Sequence, residues 1–254
     1  MMKMYLKKSV VWMLLSLIGI IFAGNSERAE IEYAESQADN LILTKAEYPA
    51  SYEIENFPVL YQMPELPTGC EITALTMLLN YYGLPAEKVE MATGYLPTLL
   101  SAETYVGEDG KMYGNDMNQY FIGNPTTQNG IICGTGAIIT AANDFLLDYG
   151  STLRATDQTG TAVEELYHMV SRGIPVMVWC TIGMENRSPV QGWYTENGTY
   201  VDWSRNDHGA VLIGYTSDTV KIADPISGIV EYDRKQFESV FASRKGQCVI
   251  LEEK

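Results

Sequence analysis

In the stretch Gln62-Met-Pro-Glu-Leu-Pro-Thr-Gly-Cys70-Glu-Ile-Thr-Ala-Leu75-Thr-Met-Leu-Leu79-Asn-Tyr-Tyr82-Gly83, a proline-bounded loop runs straight into a helix. Thr68 and Glu71 have the Thr-x-x-Glu spacing of a capping box. Ile72, Leu75, Leu79 and Tyr82 recur at helical spacing and predict one apolar stripe. Gly83 suits the position just past the helix end. With Thr68 as N-cap, Cys70 falls in the first turn. There the free amide N–H groups and the helix dipole favour a thiolate. A small buried cysteine is the plainer alternative. The capping-box role accounts for Glu71 and leaves no need of it as a base.

Outward from this helix, the elements segregate. Phe57–Tyr61 reads as a short strand, with Pro58 placing it at an edge. Pro85 opens a second helix that runs to about Gly94. Residues 97–130, rich in Gly, Asn, Thr and Tyr, read as a long loop region. A helix is expected from Thr135 to Tyr149. Another begins at a second Thr-x-x-Glu pattern, Thr161 and Glu164, and stops at Gly173. Beyond it come runs of strand formers: Pro175–Ile182, His208–Tyr215, Val220–Asp224, Ile229–Tyr232 and Cys248–Leu251. Their short connections predict antiparallel pairing. A helical first half and an antiparallel second half predict an α+β domain.

The 254 residues are 46% hydrophobic, enough to bury a full core, and suit one globular domain with a tail. The net charge of −15 makes nucleic acid a poor partner. Lys3, Lys7 and Lys8 precede a 14-residue apolar run, Val10–Ala23. That is short of the roughly 20 residues of a spanning helix and fits a signal-peptide core, with Ala23 and Gly24 as small residues for cleavage. The expectation is export to the cell surface or medium, with residues 1–24 removed or kept as an anchor. Membrane contact is expected only through that segment. Residues 25–55 hold 8 acids against 2 bases and read as a solvated linker. The mature domain is expected to begin near Tyr52, with its body over 56–254.

Four groups could carry chemistry. His208 opens a strand, and Asp224, 16 residues on, ends the next. In a hairpin turning through Thr216–Thr219 the two share one end, about 5 Å apart, close enough for a carboxylate to hold an imidazole. That is the orienting contact of a Cys-His-Asp triad. Asp224-Pro225 also reads as plain turn chemistry. His168, off the apolar stripe of its helix, reads as a surface histidine, which leaves His208 as the imidazole base. Gln62, on the segment that feeds the Cys70 helix, can donate to an oxyanion together with the Cys70 N–H. Of the remaining Cys133, Cys180 and Cys248, the last two lie in expected central strands and read as small core residues. A disulfide between Cys180 and Cys248 stays open after export. No residue cluster has metal-ligand spacing, and no cofactor is expected. Trp193, Tyr194, Tyr200 and Trp203 either wall a peptide groove or pack a long loop onto the sheet.

Three stretches together, Gln62 to Leu75, Asp207-His208-Gly-Ala-Val-Leu-Ile-Gly-Tyr215 and Ala223-Asp224-Pro225-x-x-Gly228, resemble the peptidase family 39-like domain. This is the stand-alone branch related to the bacteriocin-processing, double-glycine-cleaving cysteine peptidases. The likeness spans about Phe57 to Leu251. It implies a papain-like fold, with the nucleophile on a helix and the His and Asp on a sheet. Position by position it implies Cys70 as nucleophile, His208 as base, Asp224 as orienter and Gln62 as oxyanion donor. The eight-residue step from Gln62 to Cys70 is longer than is usual for papain-like enzymes. No phosphate loop or transmembrane bundle accompanies the domain, so the likeness is to the stand-alone form and not to exporter-fused leader peptidases. The expected activity is thiol-dependent hydrolysis of a peptide or isopeptide bond in a peptide or protein substrate. Acyl transfer by the same triad and a catalytically silent surface-binding module are the alternatives.

Overall fold

The computed structural model describes residues 48–101 and 103–254; the apolar run and most of the acidic linker lie outside them. Helix α1 spans Cys70–Tyr81, and every residue from Cys70 to Leu79 is buried. The four-residue stripe expected from spacing is thus only one side of a helix that is covered all round. Its two polar threonines are satisfied within the helix: Thr73 and Thr76 donate to the Gly69 and Ile72 carbonyls at 2.8 and 2.7 Å. An unpaired hydroxyl there would cost about 1–3 kcal/mol.

The elements run β1 (Tyr52–Glu53), α1, α2 (Lys88–Glu90), β2 (Thr98–Leu99), β3 (Tyr105–Val106), β4 (Met112–Tyr113), β5 (Phe121–Ile122) and α3 (Thr135–Asp148). There follow β6 (Leu153–Asp157), α4 (Val163–Ser171), β7 (Val176–Thr181), β8 (Trp193–Tyr194), β9 (Tyr200–Val201) and β10 (Asp207–Tyr215). The chain ends with β11 (Thr219–Asp224), β12 (Gly228–Asp233), α5 (Arg234–Ser243) and β13 (Cys248–Glu253). The main sheet has the order β12-β11-β10-β7-β13-β6, with β1 added to β10, and all its pairings are antiparallel. Helix α1 packs on β10 and β7, and α3 packs on β6 and β13 and against α1. The α+β class expected from the sequence is the class observed.

Several local expectations are corrected. Phe57–Tyr61 forms no strand. The free position beside β10 is taken by β1, where Tyr52 pairs with Tyr215 and Glu53 with Gly214. Ile54, just after β1, joins the core. The second helix is one turn, Lys88–Glu90, continued by a π turn over Met91–Tyr95. The long loop region carries four two-residue strands. At α4 the N-cap is Ala162, with no side-chain cap, so the Thr161–Glu164 box does not form. Strand β6 and helix α5 were not expected. The start of α5 did carry a signal, since Asp233 accepts from the Gln236 N–H at 2.8 Å as N-cap.

All four cysteines are buried and free, so Cys180 and Cys248 are not bridged. Trp193 is buried and donates to the Asn115 carbonyl at 2.7 Å. The Tyr194 and Tyr200 rings pair at 5.0 Å, and the Trp193 and Trp203 rings at 6.4 Å. These aromatics hold a small sheet, β3-β4-β8-β9, together.

Candidate active site

Cys70 is the first residue of α1, as its spacing implied, but the cap differs. The N-cap is Gly69, with φ −103° and ψ 41° and no side-chain cap. The Thr68 hydroxyl is used elsewhere. It donates to the Thr127 and Asn124 carbonyls at 3.0 and 3.4 Å. Gly130 makes this docking possible, because a Cβ there would lie 1.9 Å from the Thr68 Oγ1. The tertiary contact thus removes one half of the capping box, and Glu71 is freed from the other.

Glu71 is 1% exposed and turned toward Cys70. The Cys70 Sγ donates to the Glu71 Oε2 at 3.2 Å. The backbone N–H groups of Glu71 and Cys133 favour the carboxyl's ionised form. Burial first, and only partly offset by these donors and by His208, pushes the Glu71 carboxyl from 4.5 up to about 7. For Cys70 burial again leads, followed by the Glu71 charge, and the thiol is pushed well above its ordinary value. The helix start was expected to lower it. In this closed arrangement the Gly209 N–H, which does lower it, is outweighed.

His208 and Gly209 lie near the start of β10. His208 pairs in register with Cys180, and Gly209 with Trp179. The strand start is pinned through Asp207, whose Oδ2 accepts from the Ser204 N–H at 2.7 Å and lies 3.2 Å from Arg244. Arg187 approaches its other oxygen at 3.9 Å. A Cβ on Gly209 would sit 2.8 Å from the Glu71 Cα. The absence of a side chain at 209 is therefore what lets β10 touch the first turn of α1 and bring His208 near the helix that Cys70 opens.

Asp224 closes β11 at the same end of the hairpin, as the 16-residue spacing implied, and its Oδ1 lies 3.2 Å from the His208 Nε2. The approach is off-axis, so neither ring nitrogen has an aligned hydrogen bond. Such contacts are often loose before substrate arrives. Both readings of Asp224 hold together. Its Oδ1 also accepts from the Ile226 and Ser227 N–H groups at 2.6 and 3.0 Å, which makes the turn. Burial raises the Asp224 carboxyl, but His208 and these amides outweigh it, and the net direction is down.

Gln62 is 4% exposed. Its backbone N–H donates to the Pro225 carbonyl at 2.8 Å, which ties its loop to the Asp224 turn. Its side-chain Nε2 donates to the Pro67 carbonyl at 2.9 Å, and its Oε1 is buried without a partner. One amide N–H is thus engaged within the loop and the second remains. His168 stands apart on α4, 3.2 Å from Glu165, as expected of a surface-side histidine. Two residues escaped sequence reasoning, Glu71 and Gly209. The signal for Gly209 was a glycine inside a strand beside a histidine. Glu71 was hidden by a local pattern that explained it too well.

On this α+β scaffold Cys70 opens a helix whose first turn meets the strand that carries His208, and His208 lies 3.2 Å from Asp224 on the next strand. The chain belongs to the Peptidase_C39 like family, whose model matches residues 54–249. It is similar to a C39-like peptidase of Bacillus anthracis described as putative, with a TM-score of 0.68 and 29% identity over 81% of this chain and 99% of that one. It is 26% identical to the uncharacterized protein YvpB of Bacillus subtilis, over 94% of this chain and 96% of that protein.

Proposed function

We propose that the protein is an exported thiol hydrolase that cleaves peptide or isopeptide bonds through an acyl-enzyme. The observation that carries the reading is the junction of Cys70 with β10. A Cβ on Gly209 would lie 2.8 Å from the Cα of Glu71, the residue after Cys70, and Gly209 is one residue from an imidazole that lies 3.2 Å from Asp224.

In the proposed cycle, His208 uses Nδ1, the nitrogen turned away from Asp224. The Cys70 S–H proton passes to Nδ1, its electron pair stays on sulfur, the sulfur attacks the carbonyl carbon, and the carbonyl electron pair moves to oxygen. The Cys70 N–H and the second Gln62 amide N–H are the candidate donors to that oxygen. Protonated Nδ1 gives its proton to the leaving amine, and the C–N bond breaks. Water then loses a proton to Nδ1 and attacks the thioester, and the sulfur departs. Asp224 keeps the ring oriented and remains ionised. Export rests on Lys3, Lys7, Lys8 and the Val10–Ala23 run.

The test is a synthetic peptide library incubated with the chain and read for new termini by mass spectrometry. Cleavage that is blocked by iodoacetamide and absent in Cys70→Ser supports the reading. A library left intact, with Cys70 unreactive in the folded protein, overturns it.

A further inference from the structure

Among the described residues Glu71 has no ion-pair partner. The nearby basic side chains face other acids: Arg244 lies 3.2 Å from Asp207, and His208 lies 3.2 Å from Asp224. The ionisable groups that act on Glu71 from the elements packed around it are few. They are Cys70 on its own helix, His208 on β10, Cys133 just before α3, Cys180 on β7 and Arg244 after α5. The Gly209 backbone closes over its Cα and Cγ. What the Glu71 carboxylate does meet is the reacting sulfur, at 3.2 Å.

We propose that Cys70 and Glu71 share a single proton between Sγ and Oε2, which makes Glu71 a further catalytic residue. Ionised, it holds the nucleophile as a thiol; protonated, it donates to the thiolate. The inference rests on the reading of Cys70 as the nucleophile. The exchange is one proton moving along one hydrogen bond. The S–H bond breaks, its electron pair stays on sulfur, and an O–H bond forms on Oε2. The charge of the pair stays at minus one throughout.

A ceiling on reactivity follows. Below the Glu71 midpoint, near 7, both groups hold protons, and the thiolate grows about tenfold per pH unit. Above it the pair holds one proton. The thiolate share is then set by the balance between two sites and no longer by pH. It rises again only when the pair loses its last proton, well above the ordinary thiol value. With Glu71 replaced by a neutral group, the ceiling disappears.

The experiment is the pH profile of iodoacetamide modification between pH 5 and 9, on the full chain. Modification is read at the Cys70 peptide by mass spectrometry, so that Cys133, Cys180 and Cys248 do not contribute. The proteins are the wild type, Glu71→Gln, His208→Ala and the double variant. The His208→Ala background removes any plateau due to an imidazolium. The expected result is a rate that levels off above about pH 7 in the wild type and in His208→Ala. The two Glu71→Gln proteins keep rising and are about 30-fold faster than their parents at pH 8.5, the factor that separates 8.5 from 7 on the pH scale. A His208→Ala profile that climbs through pH 8.5 without levelling overturns the proposal, whether or not Glu71→Gln folds. So does a Glu71→Gln protein no faster than its parent at pH 8.5. Labelling with an unaltered profile sinks proton sharing alone. A Cys70 that labels in none of the four proteins removes the nucleophile reading, and this inference with it.

Discussion

Gly209 and Glu71 are in backbone contact: a methyl group at position 209 would lie 2.8 Å from the Glu71 Cα and 3.0 Å from its Cγ. The strand that carries His208 and the helix that carries Cys70 therefore meet where one of them has no side chain. Strand β10 is buried along nearly its whole length and α1 is covered on all sides, so neither can move aside cheaply.

Gly209→Ala should accordingly cost about 1–3 kcal/mol of stability. It should also lower turnover by more than that loss explains, because the added methyl pushes His208 away from the nucleophile's helix. Thermal unfolding paired with kcat on any substrate found by the library screen checks this. A variant as active as the wild type would mean that β10 and α1 can separate without affecting the site.

Asp224→Asn should keep the turn, since an amide oxygen can still accept from the Ile226 and Ser227 N–H groups. It should still reduce kcat by about 10²- to 10⁴-fold, because the amide favours the wrong imidazole tautomer. Normal turnover in this variant would leave Asp224 as a turn former only.

Glu71 should make the folded state weaker as the pH rises. Its carboxyl moves from 4.5 to about 7 on folding, so between those values the native protein binds more protons than the unfolded chain. Stability then falls with rising pH across that window, by on the order of 3 kcal/mol for a shift of that size. Glu71→Gln should thus be more stable than the wild type at pH 8 and no more stable at pH 4. Urea unfolding at the two pH values is the measurement. Equal gains at both would point to packing instead of charge.

Cys70→Ser and His208→Ala should each abolish hydrolysis, and the double variant should be hardly slower than either single one, since the two groups act as a unit. Additive losses, measured as kcat/KM in the three proteins, would separate their roles.

Much of this site was legible in the sequence because its determinants are local. The short turn at Thr216–Thr219 places His208 and Asp224 near one end of a hairpin, while the register shift between Leu212 and Gly214 that aligns their faces belongs to the assembled sheet. The Thr68-Gly69-Cys70 step and the helical spacing after it put a cysteine at a helix start. Three features depended on distant parts of the chain. The short strand ahead of α1 forms at Tyr52–Glu53, paired with β10, and not at Phe57–Tyr61, which no local pattern decides. The Thr68-x-x-Glu71 pattern lost its hydroxyl to carbonyls at 124 and 127, more than fifty residues away. Glu71, no longer a cap, was enclosed by β10 through Gly209. Spacing along the chain determined which side chains share an element and an end. Burial determined their chemistry, because the charge a carboxyl or thiol holds depends on the water and dipoles around it, and only the assembled helix, sheet and loop set those.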